Sequence, residues 1–518
     1  MPFTHKKVLL VQPTTTDSFW LLGRSVKRYL GAKTTIIPLP LLTLAAVLPR
    51  EWELELIDMN IEELTDADIC AADLVFVTGM IIHAKMIAEI ILRCKGRGKK
   101  VVVGGPFATA APLAPELDHA DCLYCGEAEV EETFGQMIVD LERRDHRRLY
   151  RAAQFADIRQ SPIPRFDLLK TKLEHYATMA VQISAGCLHA CEFCNIPELK
   201  GCSRYKTSAQ VVNELAAIYA LGYRGSIFVV DDNFVARHRE AAAIVAAILD
   251  WQLTHRRRGR FPFQFYTQAD LSLGIGKGIV LASNMAEAGF YAVFLGIESP
   301  SSEAMEEASK FLNANHSAVE ICRNIRRVGL MVYGGFIVGF DADGPGCFAR
   351  MKKFIRDCGV YAAMAGMLTV LPGTKLEARL AKEGRLHPHA VTGDSFEIPN
   401  FDPKQMSVRE LVAGYRDLFA WLYRPEEYFF RSAVSLREWT VTHTNPFRLK
   451  DLIAAFHSVV RQGFCSSYRY HYWRFLLRFL FTKKRGMAFF IAIMFAHWGE
   501  YANKVVVPRL DAELAKTA

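Results

Sequence analysis

The 518-residue chain is predicted to be an α/β protein with an amino-terminal doubly wound parallel sheet, a central partial (β/α)6 barrel and a helical carboxyl-terminal region. Two series of short apolar runs alternate with helix-like stretches, and this alternation stops near residue 386. Apolar runs separated by helices are typical of parallel strands buried on both faces. The predicted boundaries are 1–150 for the first sheet, 151–178 for a linker, 179–385 for the barrel and 386–518 for the helical region.

Composition indicates an ordinary globular chain, with 51% hydrophobic and 23% charged residues. The twelve cysteines have irregular spacing, which favours reduced thiols over a disulfide framework. The first residues, MPFTHKKVLLVQP, lack the apolar core of a secretory signal, so we expect a cytoplasmic protein, with membrane association left open. A net charge of +8 permits contact with anionic partners without requiring it.

The first series has five apolar runs, at 6–13, 54–60, 72–80, 99–106 and 121–127, with helical periodicity at 84–98 and 129–144. Parallel sheets of this kind bind ligands at the carboxyl ends of their strands. The second series has six runs, at 178–184, 226–232, 261–268, 291–299, 331–340 and 362–372. Helical stretches at 208–222 and 317–329 lie between them. Six such units predict a closed or partly closed barrel with its site at the carboxyl ends of the strands.

Three cysteines, Cys187, Cys191 and Cys194, follow the first run of the second series directly. Thiols crowded on one loop suit a soft metal centre. Zinc is the alternative, but the CxxxCxxC spacing has no second knuckle to complete a zinc site, and His189 is awkwardly placed to help. Cys202 is a possible fourth ligand. A cubane held by three thiolates would leave one iron open to a substrate or cofactor.

This motif, with Phe193 before its last cysteine, resembles the signature of the radical S-adenosylmethionine (SAM) superfamily. The resemblance implies a [4Fe–4S] cluster on the three cysteines, SAM on its open iron, and reductive cleavage of SAM to a 5′-deoxyadenosyl radical. It also implies SAM contacts from residues at strand ends and in the GIES segment: Phe193, Asp231, Gln268, Gly296, Glu298 and Ser299.

The first sheet carries glycine turns after its fourth and fifth runs, in GGP and GEAEVEE. Glycines there allow a ligand to approach the backbone. Upstream of a radical SAM domain, these turns resemble the Rossmann-like cobalamin-binding domain, over about residues 6–145. The resemblance implies cobalamin contacts at Thr78, Gly104, Gly105, Pro106, Gly126 and Glu127.

Histidine ligation of cobalt is not expected, because the first-strand loop at 11–23 contains no DxHxxG motif. His83 is interpreted as a packed or solvated helix residue, with contact to the cobalamin ring as the alternative. Cys122 and Cys125 form a CxxC pair inside an apparent strand, and we interpret them as structural.

The segment 370–386 resembles the end of the barrel in this subclass, and the tail resembles that of a subset that includes hopanoid C-2 methylases. The apolar run Met487–Ala496 is too short to span a bilayer, which needs about 20 residues. It is either a membrane-interface segment, with Tyr470, Trp473, Arg478 and the cluster 483–485 at the headgroups, or a buried helix. The basic cluster 255–260 is interpreted as a solvated turn, and no nucleic-acid partner is expected.

The resemblance therefore implies a cobalamin-dependent radical SAM C-methyltransferase acting on an unactivated carbon of an apolar small molecule, for example a polycyclic isoprenoid lipid. Flavodoxin or ferredoxin is the expected electron donor. One alternative is a radical cyclase or oxidative rearrangement enzyme with a tetrapyrrole-like substrate. Another is a non-enzymatic cobalamin or redox sensor. No catalytic side chain is assigned.

Overall fold

The computed structural model describes residues 5–15, 18–19, 22, 25–387, 396–443 and 449–516. Parts of the first-strand loop and of the predicted helical region therefore lie outside the described residues. The strands are β1 Lys7–Gln12, β2 Thr34–Ile36, β3 Glu53–Asp58, β4 Leu74–Thr78, β5 Lys100–Gly104, β6 Cys122–Cys125, β7 Leu149–Arg151, β8 Tyr176–Val181, β9 Ser184–Ala185, β10 Arg204–Tyr205, β11 Gly225–Val229, β12 Phe263–Ala269, β13 Phe290–Glu298, β14 Met331–Val338 and β15 Ala362–Met367.

The α-helices fall into three groups along the chain. Those of the first sheet are Leu39–Val47, Asp66–Ala71, Ala84–Lys95, Gly105–Ala110 and Glu131–Arg143. Those of the second sheet are Ile196–Lys200, Ser208–Ala220, His238–Thr254, Lys277–Glu287, Ser302–Glu307, Phe311–Asn315, Ala318–Arg327, Cys347–Cys358 and Lys375–Lys382. The tail contains Val408–Leu422, Pro425–Glu438, Leu449–Ser458, Arg469–Leu476, Arg485–Tyr501 and Val507–Lys516.

The first sheet is parallel and has the order β3-β1-β4-β5-β6-β7. Its strands form where the sequence is continuously apolar, because helices cover both faces. In β1, Val8 to Val11 are all buried. The helix Ala84–Lys95 buries Ile87, Ile90, Ile91 and Cys94, which lie on one face at helical spacing.

The second sheet is also parallel, with the order β15-β14-β13-β12-β11-β8-β2. All six predicted runs form its strands, and it curls into a half-barrel with helices outside. The α/β class with a partial barrel is thus confirmed. The sequence did not predict β2, which follows β1 in the chain but pairs with β8 through Thr34 and Ile36. Only three residues long and flanked by turns, β2 gives no periodic signal.

The tail packs on the half-barrel through the helix Arg485–Tyr501, which contains the apolar run Met487–Ala496. Ile491 and Ala492 are fully buried. The ring of Phe490 lies 6.4 Å from that of Tyr291 at the start of β13. The interface alternative for this run is therefore wrong, and the buried-helix alternative is right. No helix among the described residues is long and apolar enough to cross a membrane.

Candidate active site

The three cysteines lie on a loop closed at its base by the antiparallel pair β9–β10. The amide of Cys187 donates to the carbonyl of Gly201 at 3.2 Å, and the amide of Cys194 donates to Cys191 at 3.1 Å. All three thiols are unbonded and half-buried. Burial raises the pKa of Cys187 and Cys191, and raises that of Cys194 to about 11. These thiols therefore hold their protons until a metal displaces them.

Glu192 and Phe193, between the second and third cysteines, fix the loop to the end of the barrel. The Glu192 carboxylate accepts from Arg379 at 2.5 Å, and its carbonyl accepts from the Leu376 amide at 3.0 Å. The ring of Phe193 packs against Phe340 at 6.1 Å. The cysteines are thus held by the helix Lys375–Lys382 as well as by their own strand.

His189 points away from the other cysteine-loop groups, and its Nε2 lies 2.7 Å from the Asp270 carboxylate. Among the residues that the structure describes, no three His, Cys, Asp or Glu side chains converge on a point where a single ion would bind. Zinc requires such convergence, with sulfur about 2.3 Å from one metal. Cys202 is exposed on the surface beyond the loop.

The GIES segment ends β13 with an irregular backbone. The pairing of β13 with β14 shifts between Gly296 and Glu298, and Glu298 has a φ of 64°. A non-glycine residue in this left-handed region is strained, and such strain collects at functional sites. The shift turns the Glu298 side chain toward Lys310, while the Ser299 hydroxyl accepts from the Ser301 amide at 3.2 Å.

Lys310 holds this strained segment and was missed by sequence reasoning. Its Nζ pairs with Glu298 and donates to the Gly296 carbonyl at 2.9 Å. Asn313 donates to the Gly296 and Ile297 carbonyls at 3.0 and 2.9 Å. The Lys310 ammonium also lies close enough to Cys191 to favour its thiolate electrostatically. The only signal in the sequence was a lysine and an asparagine in a polar stretch shortly after GIES.

Asp231 is fully buried, whereas Gln268 is half-buried. The assignment of both residues as SAM contacts stays a prediction. Asp231 is fully buried, where it accepts from the amides of Ile183 and Ser184 at 2.8 and 2.7 Å. Burial raises its pKa to about 7. These bonds indicate that Asp231 positions the strand entering the cysteine loop. Gln268 is half-buried near the end of β12.

Aromatic side chains line the inner face of the half-barrel, since residues two apart along a strand share a face. Tyr266, two residues before Gln268, stacks on Phe228 with ring centroids 4.7 Å apart. Phe294, two residues before Gly296, covers Gly335, where a Cβ would lie 2.8 Å from its ring. Tyr333 is paired opposite Phe294. The half-barrel therefore carries flat aromatic surfaces on the face that these residues share.

The glycine turn after β5 is fitted tightly to the neighbouring strand. Gly105 has a φ of 85°, and a Cβ there would lie 2.2 Å from Thr78 Oγ1. Gly104 has only ordinary contacts around the position of a Cβ, and Pro106 is exposed. Gly126, after β6, has a φ of 134°. The turn thus brings glycine backbone to the carboxyl edge of the first sheet, where parallel sheets bind their ligands.

This edge faces the cysteine loop. Glu127 receives two hydrogen bonds of 2.8 Å from the guanidinium of Arg204 on β10. The helix Gly105–Ala110 packs against the helix Ile196–Lys200, which directly follows Cys194. The turns predicted to hold cobalamin therefore lie beside the segment that carries the cysteines. Because its carboxylate is held by Arg204, Glu127 serves as a clamp between the sheets, and its cobalamin contact stays a prediction.

His83 is buried, with both ring nitrogens engaged: Nδ1 accepts from the Met80 amide at 3.0 Å and Nε2 lies 2.9 Å from Thr15 Oγ1. It is a packed residue, as interpreted from the sequence. Cys122 and Cys125 are buried within β6. Cys125 donates to the Ala108 carbonyl at 3.0 Å, in keeping with a structural role.

Two family models match the second sheet and the tail. The radical SAM superfamily model matches residues 181–355, and a domain of unknown function, DUF4070, matches residues 374–508. An uncharacterized methyltransferase of Synechocystis sp. is 34% identical over 473 residues, which are 90% of this chain and 86% of the relative. The chain belongs to the radical SAM methyltransferases.

Two further proteins are similar to this chain. Hopanoid C-2 methylase of Rhodopseudomonas palustris is 29% identical over 488 residues, 92% of this chain and 89% of the relative. The radical SAM methyltransferase TsrM of Kitasatospora setae, solved with cobalamin and a [4Fe–4S] cluster, has the same fold. It aligns with a TM-score of 0.63 and 15% identity over 94% of this chain and 99% of that one.

Membership in this family confirms the resemblance seen in the sequence, the prediction of an enzyme, and SAM and a [4Fe–4S] cluster as its cofactors. The expectation of a sensor without catalytic activity finds no support among these relatives. The residue assignments for the cluster, SAM and cobalamin are predictions, which the geometry above supports to different degrees.

Proposed function

We propose that this protein is a cobalamin-dependent C-methyltransferase that acts on an unactivated carbon of an apolar, ring-bearing molecule. The observation that carries the proposal is the contact between the two sheets, where the helix that follows β5 packs against the helix that follows Cys194. A methyl carrier on one wall and a radical source on the other need this proximity, because the substrate carbon must meet both.

Cys187, Cys191 and Cys194 would hold the cluster, with Glu298 and Ser299 beside it to orient SAM. The turns at Gly104 and Gly126 would hold cobalamin without a histidine, since both nitrogens of His83 are engaged. Bound together, these groups supply a hydrogen-abstracting radical and a transferable methyl group. An electron donor such as flavodoxin or ferredoxin completes the system.

The aromatic face of the half-barrel supports the choice of substrate. Its rings, from Phe228, Tyr266, Phe294 and Tyr333, would pack against a rigid hydrocarbon and exclude water from the reacting carbon. A polycyclic isoprenoid lipid would suit these aromatic surfaces. The name of one relative, hopanoid C-2 methylase, refers to a lipid of this kind.

The test uses the full chain, reconstituted anaerobically with iron, sulfide and cobalamin and supplied with a reductant, methyl-deuterated SAM and a pentacyclic hopanoid. We expect formation of 5′-deoxyadenosine and a hopanoid carrying the deuterated methyl group, both detected by mass spectrometry. Formation of 5′-deoxyadenosine without methyl transfer to the hopanoid, or to a tetrapyrrole added in its place, would contradict methylation and favour the cyclase alternative.

A further inference from the structure

The tail exposes apolar side chains on a surface that no described part of the chain covers. Phe481 is 90% exposed, Phe456 66% and Phe464 65%. Such values are unusual for phenylalanine. With them, the docking face consists of Leu452, Ile453, Phe456, Val460, Phe464, Tyr470, Leu477 and Phe481, all exposed.

The docking face is continuous because of helical spacing and one ring contact. Leu452, Phe456, Val460 and Phe464 follow one another at intervals of four and so lie on one side of the helical segment that begins at Leu449. Phe464 meets Trp473 of the next helix edge-on at 5.9 Å. The exposed residues of both helices thus belong to one apolar surface.

The stretch of sequence that carries the docking face contains basic residues and no acidic ones. From Leu452 to Gly499 the sequence contains no Asp or Glu, whereas basic residues occur at Arg461, Arg469, Arg474, Arg478 and 483–485. Such a stretch repels other cations and attracts a surface of negative charge.

Two of these arginines line a surface cavity of about 240 Å³ beside the exposed ring of Phe430. Of its two acidic residues, Glu427 pairs with Arg356, and Glu426 lies 3.2 Å from Nε2 of His471. Arg474 and Arg478 form no ion pair with any residue that the structure describes. Their guanidinium groups are therefore available to an anion from outside.

We propose that the docking face binds the surface of an anionic lipid bilayer, with its aromatic side chains in the headgroup region and Arg474 and Arg478 on lipid phosphates. Amphipathic helices with exposed aromatic residues and a basic border bind membranes in this way, without spanning them. This proposal does not depend on the identity of the substrate.

Cosedimentation tests the proposal, using the full chain with vesicles of phosphatidylcholine alone or mixed equally with phosphatidylglycerol. We expect binding to the anionic vesicles that weakens as salt rises. R474Q/R478Q should bind about 25-fold more weakly, since each cation at an anionic surface contributes roughly a factor of five. F456S/F481S should lose binding to a similar extent.

The matched control is R257Q/R258Q, which removes two exposed cations from the basic turn 255–260, outside the docking face. It should bind like the wild type. Thermal unfolding of every variant verifies that these exposed substitutions leave the fold intact. Equal weakening in the control, or no binding of the wild type to anionic vesicles, would overturn the proposal. Dimerisation of the wild type that F456S/F481S abolishes would also overturn the proposal, because the docking face would then bind a second copy of the chain.

Discussion

Replacing Lys310 with methionine tests whether a buried ion pair holds the strained GIES segment. The side chains of Lys310 and Glu298 are only 12% and 9% exposed. The substitution keeps the volume of the stem but leaves the Glu298 carboxylate buried without its cation. The carbonyl of Gly296 also loses a donor at 2.9 Å.

The expected magnitude follows from this burial. Breaking one side of a buried pair costs about 3–5 kcal/mol, because the remaining charge is desolvated and uncompensated. For a domain of the size of the barrel, each kcal/mol lowers Tm by about 2–4 °C. Lys310→Met should therefore lower the Tm of the barrel by about 6–20 °C.

The assay is differential scanning calorimetry of the protein without added cofactors. Lys353→Met is the matched control: it removes the same side chain from an ion pair with Asp357 whose lysine is 78% exposed. Exposed pairs contribute at most about 0.5 kcal/mol in a helix, so its Tm should fall by no more than about 2 °C.

A double variant gives the sharper result. Adding Glu298→Gln to Lys310→Met removes the uncompensated charge and should restore more than half of the lost stability. The stabilising role of the Lys310–Glu298 pair is refuted when Lys310→Met unfolds at no lower temperature than Lys353→Met. It is also refuted when the double variant is as unstable as Lys310→Met alone.

Three further outcomes are expected. Cys191→Ala should abolish the visible absorbance of the reconstituted cluster and the cleavage of SAM. Cys202→Ala, at an exposed thiol, should keep the absorbance and the cleavage. Cleavage of SAM by Cys191→Ala would disprove the ligand assignment. Gly105→Ala should lower the free energy of unfolding by about 1–3 kcal/mol and weaken cobalamin binding, because the new Cβ would lie 2.2 Å from Thr78 Oγ1 at a φ of 85°. Adding Thr78→Ala should recover part of the lost Tm, and no recovery would exclude the clash as the cause. Burial lowers the pKa of His83 below 6.5, so protonation favours the unfolded chain. Stability is therefore lost as pH falls below 6.5, by at most about 1.4 kcal/mol per pH unit. The Tm of His83→Gln should fall less steeply with falling pH than that of the wild type, and parallel curves would rule out this role of His83.

Periodicity predicted every strand of the two parallel sheets except β2 and β7, because long apolar runs between helices leave few alternatives. The cysteine loop was equally predictable, since its three ligand positions lie within eight residues of sequence and need no tertiary information. The order of strands then placed that loop at the open end of the half-barrel.

Contacts between distant segments could not be predicted. Glu127 belongs to a turn that suggested a cofactor contact, but Arg204, 77 residues later, holds its carboxylate. Asp231 lies at a strand end, as many site residues do, yet its hydrogen bonds run inward to Ile183 and Ser184. Which partner a polar side chain meets depends on packing that one sequence does not reveal.

The small strand β2 has a consequence for how this enzyme can be divided. Since Thr34–Ile36 forms the outer strand of the second sheet, a fragment that starts at the barrel would expose the unpaired edge of β8. The piece left behind would carry a strand with no sheet to join. Gene fusion or truncation at the boundary between the sheets therefore yields two incomplete folds, and the two cofactor regions have to be inherited, expressed and engineered as one unit.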